Sequence, residues 1–292
     1  MRIPTLLLCC PVLFGFSTLL AQNAGSRRLP DISPASARTA AAMRAAQAEE
    51  LDRAERAKDP EGWALKHLKK DASRGDVNAQ IQLGDRFRDG KGVPKSLLQA
   101  AEWYEKAATQ GDTGAQFTLG TMYKDGEGVP KNTAKAAVWF GKAAAKGNEW
   151  GQWALGYMYA EGEGVPKSEK IALELYGRAA AQGNAFGQLF LGYMYEQGKG
   201  IPKDDAKAVE WFLKAAAKGV SGAQSALASH YATGAGVIKD DVRALAWMSL
   251  AATSGTPEDR KRRDEFEKRL TAEEKAKAEK LALELFAKMP KK

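Results

Sequence analysis

Two stretches of this chain carry aromatic side chains in a pattern suited to holding another molecule. Trp150 and Tyr157 stand in the first, and Phe186, Phe190 and Tyr193 in the second, with Trp153 and Leu189 beside them. The second stretch follows the first by 36 residues, so Trp150 corresponds to Phe186 and Tyr157 to Tyr193. If both stretches are helical, the five rings share one narrow stripe on two neighbouring helices. Such rings carry out no reaction. They offer wide contact area that loses little entropy on binding, and exposed clusters of them mark interaction sites. Trp150, Trp153, Tyr157, Phe186, Phe190 and Tyr193 are therefore the candidate partner-binding residues. The competing reading is that the fold curls enough to pack the rings on one another.

Reactive chemistry has far less to work with. The chain has two histidines, His67 and His230, and two cysteines, Cys9 and Cys10. His230 reads as a core residue with its hydrogen bonds satisfied, and His67 as half-exposed on a helix. No HExxH, CxxC, GxSxG, SxxK or phosphate-loop spacing occurs. A recurrent GxG follows a helix rather than a strand, so it does not read as a phosphate cradle. Asp and Glu are scattered, with no repeated pair for general acid–base work. No catalytic, cofactor-binding or metal-binding residue is expected, and the chain does not read as an enzyme.

The elements that position the aromatic stripe follow from a strict repeat. Copies begin at Gly75, Gly111, Gly147, Gly183 and Gly219, each 36 residues long, and the fifth ends at Ser254. A fixed period of this size predicts a solenoid of one supersecondary unit. Within a copy, Gly at position 1 suits the left-handed close of a helix, and Asp or Asn at position 2 suits the N-cap of the next. The first helix, A, is expected over positions 3–15, with small or apolar residues at 5, 9 and 13 on one face. Position 10 is Gly84, Gly120, Gly156 and Gly192, then Ala228. Because a mid-helix glycine costs ~1 kcal/mol against alanine, its recurrence predicts a close crossing where no side chain fits. A turn with Gly-Val-Pro-Lys follows, and Ser96, Asn132, Ser168, Asp204 and Asp240 cap the second helix, B. Helix B carries a bulky pair at 29 and 30, such as Trp139 and Phe140. The candidate rings at positions 4, 8 and 11 of copies three and four stand where the other copies are small or polar.

The run AxxLGxxYxxGxGV followed by AxxWYxKAAxxG resembles the Sel1-like repeat, a relative of the tetratricopeptide repeat. That resemblance implies an all-α, right-handed α-solenoid of antiparallel helix pairs: five Sel1-like repeats plus N- and C-terminal capping helices. It also implies that helix A lines the concave side and that the protein is an adaptor or scaffold. Some secreted proteins of this kind resemble weak β-lactamases, but those carry paired cysteines in their repeats, which this chain lacks.

The flanks complete the expected organisation. Residues 1–21 are mostly apolar and end at Leu19 and Ala21, which reads as a signal peptide cleaved before Gln22. A retained membrane anchor is disfavoured by Pro4, Pro11 and the single flanking charge. Both cysteines fall inside this segment, so the exported chain has no disulfide. Residues 22–34 read as a disordered linker, and 35–74 as a helix followed by a capping half-repeat through Ala64, Leu65, Leu68 and Ala72. Residues 75–254 are the repeats, and 255–292 form two charged capping helices, the second with Ala278, Leu281, Ala282, Leu285 and Phe286 inward. The formal charge is +8, but the excess lies in the flanks and the repeats are close to neutral. No basic channel for nucleic acid is expected. Lys95, Lys131, Lys167, Lys203 and Lys239 form a ladder along one rim, read as solvated loop lysines or, alternatively, as a rail for a polyanion. The leading functional reading is a periplasmic or secreted scaffold that holds a peptide or protein surface in its concave groove. It has no transmembrane segment after signal cleavage. The alternatives are a cell-envelope glycan-binding module, with Glu149, Glu161 and Gln197 beside the rings, and a β-lactamase-like hydrolase.

Overall fold

The structure is a computed structural model that describes residues 34–290. The expected signal peptide, and the expected linker up to its last residue, lie outside the described residues. Among the described residues there are fourteen helices and no strand. The chain divides into two units at Pro60–Glu61. The first holds α1, Pro34–Lys58, a helix of 25 residues. The second holds the chain from α2, Pro60–Ser73, onward.

In the second unit, five A helices alternate with five B helices. The A helices are α3 (Val77–Asp89), α5 (Thr113–Asp125), α7 (Glu149–Glu161), α9 (Ala185–Gln197) and α11 (Ser221–Thr233). The B helices are α4 (Leu97–Thr109), α6 (Thr133–Ala145), α8 (Glu169–Ala181), α10 (Asp205–Ala216) and α12 (Asp241–Ser254). Local chemistry sets these limits. The Asp76, Asp112, Asn148 and Asn184 side chains accept from the backbone N–H three residues on, and Ser96, Asn132, Ser168, Asp204 and Asp240 do the same for the B helices. Val220 offers no such bond to α11. Gly90, Gly126, Gly162, Gly198 and Gly234 close the A helices with left-handed backbone. Each helix packs on the one before and the one after, which is the solenoid arrangement.

Two recurrent contacts hold the stack. Inside each of the first four copies, the glycine at position 10 lies under the ring at position 30. A Cβ added to Gly120 would sit 2.6 Å from the Phe140 ring, and at Gly192 2.6 Å from Phe212. In copy five, Ala228 replaces the glycine, and the ring gives way to Met248, an unbranched chain that yields room. Both are fully buried in one apolar cluster. Between copies, the glutamine at position 6 donates back to a B-helix carbonyl. Gln80 Nε2 reaches Ala72 O at 3.1 Å, and Gln116 reaches Ala108 O at 3.0 Å. Gln152, Gln188 and Gln224 repeat the bond to Ala144, Ala180 and Ala216.

The ends are closed by the flanks of this unit. Ala72 is buried, and Leu65 and Leu68 pack against the first core cluster. At the other end, α13 (Pro257–Glu267) and α14 (Ala272–Ala287) start with capping boxes at Thr256 and Thr271. Leu270, Ala278 and Ala282 are buried with α11 and α12, and Leu281 and Leu285 pack beside them. Phe286 departs from the expectation of an inward ring: it is 63% exposed. It lies about 80° round the helix from Ala278, at the edge of the apolar stripe.

Candidate functional site

The six expected binding residues come from α7 and α9, and the structure brings them together. Trp150 and Phe186, at position 4, are 6.1 Å apart between ring centroids. Trp153 sits beneath both, 6.3 Å from Trp150 and 5.1 Å from Phe186. Phe190 continues the row, 6.4 Å from Trp153, 6.0 Å from Tyr157 and 6.2 Å from Tyr193. The rings thus pack on one another, and the row also keeps an open side. Trp150 is 39% exposed and Phe186 38%. Trp153, Tyr157, Phe190 and Tyr193 are half-buried. Position 8 is the most inward part of the stripe: Ala154 is buried, and Phe190 stacks on Tyr176 of α8 at 5.2 Å.

Room for two large rings at position 4 has a local cause. Position 5 is Gly151 and Gly187 in these two copies, but Ala79, Ala115 and Ala223 in the others. A Cβ on Gly151 would lie 2.7 Å from that of Ala143, and on Gly187 2.8 Å from that of Ala179. Here the A helix sits close against the preceding B helix, and the bulk moves to the outer face.

A cavity of about 550 Å³ opens beside this row and spans α3, α5 and α7. Trp150, Trp153 and Phe117 wall it on one side, and Ile81, Asp85 and Thr118 line the rest. The small residues of copies one and two, which made those copies look featureless, are what leaves this space. Phe117 is at position 7, outside the stripe of positions 4, 8 and 11. It lies 6.3 Å from Trp150, and only the contact across 33 residues of chain shows its membership.

The electrostatics favour neutral, donating phenols. Burial, with Glu163 and Glu161 nearby, pushes the Tyr157 hydroxyl up, and burial followed by Glu196 does the same for Tyr193. His230 is buried, with Nδ1 2.7 Å from Ala235 O and Nε2 3.0 Å from Glu196 Oε1. It joins α9 to the turn after α11 and is occupied in that structural role. Among the described residues no cluster of His, Cys, Asp or Glu is arranged to hold a metal ion. No helix among them is long and apolar enough to cross a membrane. Two lysines of the ladder pair locally, Lys203 with Asp205 at 3.3 Å and Lys239 with Asp241 at 3.4 Å.

Comparison with known proteins agrees with the repeat fold. The family model described as Sel1 repeat matches residues 77–112, 113–148, 151–184, 185–220 and 221–256, more than half of the chain. Among solved structures, the chain is similar to a protective antigen of uropathogenic Escherichia coli strains displaying an SLR fold. Identity is 36% over 77% of this chain and 48% of that one, with a TM-score of 0.67. It therefore spans about half the length of that antigen. It is also similar to a Sel1 repeat protein from Oxalobacter formigenes, 37% identical over 69% of this chain and 83% of the other, with a TM-score of 0.62. No curated protein matches.

Proposed function

Since the chain belongs to the Sel1 repeat family, whose members generally act as protein–protein interaction scaffolds, we propose that it is an exported scaffold. It holds a peptide or protein segment in the groove formed by its A helices. The observation that carries this reading is the row of rings on α7 and α9. Trp150 and Phe186 remain more than a third exposed while touching each other, and Trp150 also walls a cavity of about 550 Å³. Aromatic anchors beside a pocket are the usual form of a binding hot spot. Export is supported by the apolar run that ends at Ala21.

The test separates anchoring from packing. Trp150→Ala with Phe186→Ala removes the two exposed rings and should leave the melting temperature within a few degrees of the parent. Retention of a partner from an envelope extract should fall, by about 2 kcal/mol or more per anchor. Phe190→Ala is the contrasting variant. Its ring stacks on Tyr176, so it should lower stability directly, by about 2 kcal/mol or more. Full retention by the double variant would remove the proposal, and retention by envelope polysaccharide rather than protein would replace the partner class with glycan. For export, N-terminal sequencing of the envelope fraction should begin at Gln22, and a cytoplasmic product retaining Met1 would contradict it.

A further inference from the structure

A second, smaller cavity of about 200 Å³ lies between copies three and four. Glu161 at the end of α7, Glu169 and Tyr176 of α8, and Phe190, Tyr193 and Gln197 of α9 line it. Its volume suits one long side chain rather than a stretch of polypeptide.

Tyr176 brings an unpaired polar group to this cavity. The residue is 1% exposed, and its hydroxyl finds no hydrogen-bond partner among the described residues. A buried hydroxyl left unpaired is costly. The equivalent phenol in copy one, Tyr104, donates to Asp85 Oδ1 at 2.7 Å. Asp85 is at position 11, where copy three carries Tyr157, so the internal acceptor has been lost while the hydroxyl has been kept. Copies two and four have Phe140 and Phe212 at the same place and need no partner.

The other walls define the chemistry that would fit. Copy three is the one copy with a carboxylate at each of positions 15, 17 and 23, namely Glu161, Glu163 and Glu169. None of the three is in an ion pair among the described residues. Carboxylates accept hydrogen bonds only, and a phenol oxygen can accept as well. Lys199 is the one cation lining the cavity, and it leaves the lining net negative. The protein already holds a cation nearby, with the Lys124 ammonium 5.4 Å from the centroid of Tyr157.

We propose that this cavity receives the ammonium or guanidinium end of a lysine or arginine side chain from the polypeptide held on the aromatic row. The assignment of the donor to a polypeptide rests on the scaffold reading above; the preference of the cavity for a cation does not. The cation would donate to Glu161 and Glu169 and give the Tyr176 hydroxyl its partner.

The experiment uses the full chain with its methionine methyl groups labelled with carbon-13. Met194 lines the cavity, and Met248, buried in copy five, serves as the internal control. Argininamide should shift the Met194 methyl resonance saturably and leave Met248 in place. Citrullinamide, an isostere whose side-chain end is neutral, should bind at least about tenfold more weakly, as should argininamide to the Glu161→Gln, Glu169→Gln variant. Lys199→Gln should tighten binding. Tyr176→Phe should weaken it without lowering the melting temperature, because the variant loses an unpaired hydroxyl. Equal binding of citrullinamide, weaker binding by Lys199→Gln, or an unmoved Met194 at tens of millimolar argininamide would each overturn the proposal. Because argininamide needs no partner, these results are independent of whether Trp150→Ala with Phe186→Ala releases one.

Discussion

At the scale of the residue, Gly120 and Phe140 carry a whole crossing between them. With a Cβ 2.6 Å from the ring, Gly120→Ala should destabilise by about 1–3 kcal/mol despite alanine's better helix propensity. Copy five indicates the repair. Combining Gly120→Ala with Phe140→Met copies the Ala228–Met248 pair, and a double-mutant cycle by urea unfolding should show favourable coupling. His230 makes a second prediction. Hydrogen bonding to Glu196 raises its pKa above the ordinary 6.5, burial opposes that, and the Ala235 carbonyl and the charges of Glu196 and Asp205 raise it further. A group with a raised folded pKa contributes stability that is complete below its unfolded value and is lost as pH climbs through the folded one. The melting temperature should therefore fall as pH rises from about 6.5, and His230→Met should flatten that slope. What could be read from the letters differs between such residues. The glycine at position 10 was visible because it breaks a helix rule. The glutamine at position 6 breaks none, and its bond to a carbonyl eight residues earlier appears only once two helices are folded together. Tyr176 belongs to the bulky pair of helix B, and whether its hydroxyl finds an acceptor depends on a residue in another helix.

At the scale of the element, capping chemistry explains why helix limits could be placed from the sequence. Every A and B helix but α11 starts with a side chain that satisfies a free N–H, and each A helix ends on a left-handed glycine, so both boundaries are local events. Asn132→Ala, which removes the acceptor for Lys135 N–H at 2.9 Å, should cost about 1 kcal/mol by thermal unfolding. Val220→Ala should cost only packing, since Val220 makes no cap. Orientation was harder to read than extent. On α14 the inward stripe is narrow, and Phe286 falls just outside it. On α7 and α9 the expected stripe tilts, leaving position 4 open and position 8 inward, because the rings compete for the same space.

At the scale of the whole molecule, stability is a sum of copies and seams closed by two caps. Deleting residues 256–292 would uncover the apolar surface that Leu270, Ala278 and Ala282 now cover. Light scattering of the truncated chain should show aggregation where the parent stays dispersed.

The seams carry one more implication. The copies are pinned along one edge by the glutamine bonds. Along the other edge, Gly128 and Gly164 lie so close to the backbone of Leu97 and Thr133 that a methyl group would collide. With both edges fixed, α5, α7 and α9 approach one another in turn, at the roughly 8–10 Å of packed helices. Under the proposed function, the groove is then graduated like a scale, and a segment lying along it would be measured as well as held. A chain in the polyproline II form advances about 3.1 Å per residue with three residues per turn. Every third side chain would meet the next division, so the rhythm of a bound sequence would matter as much as its composition.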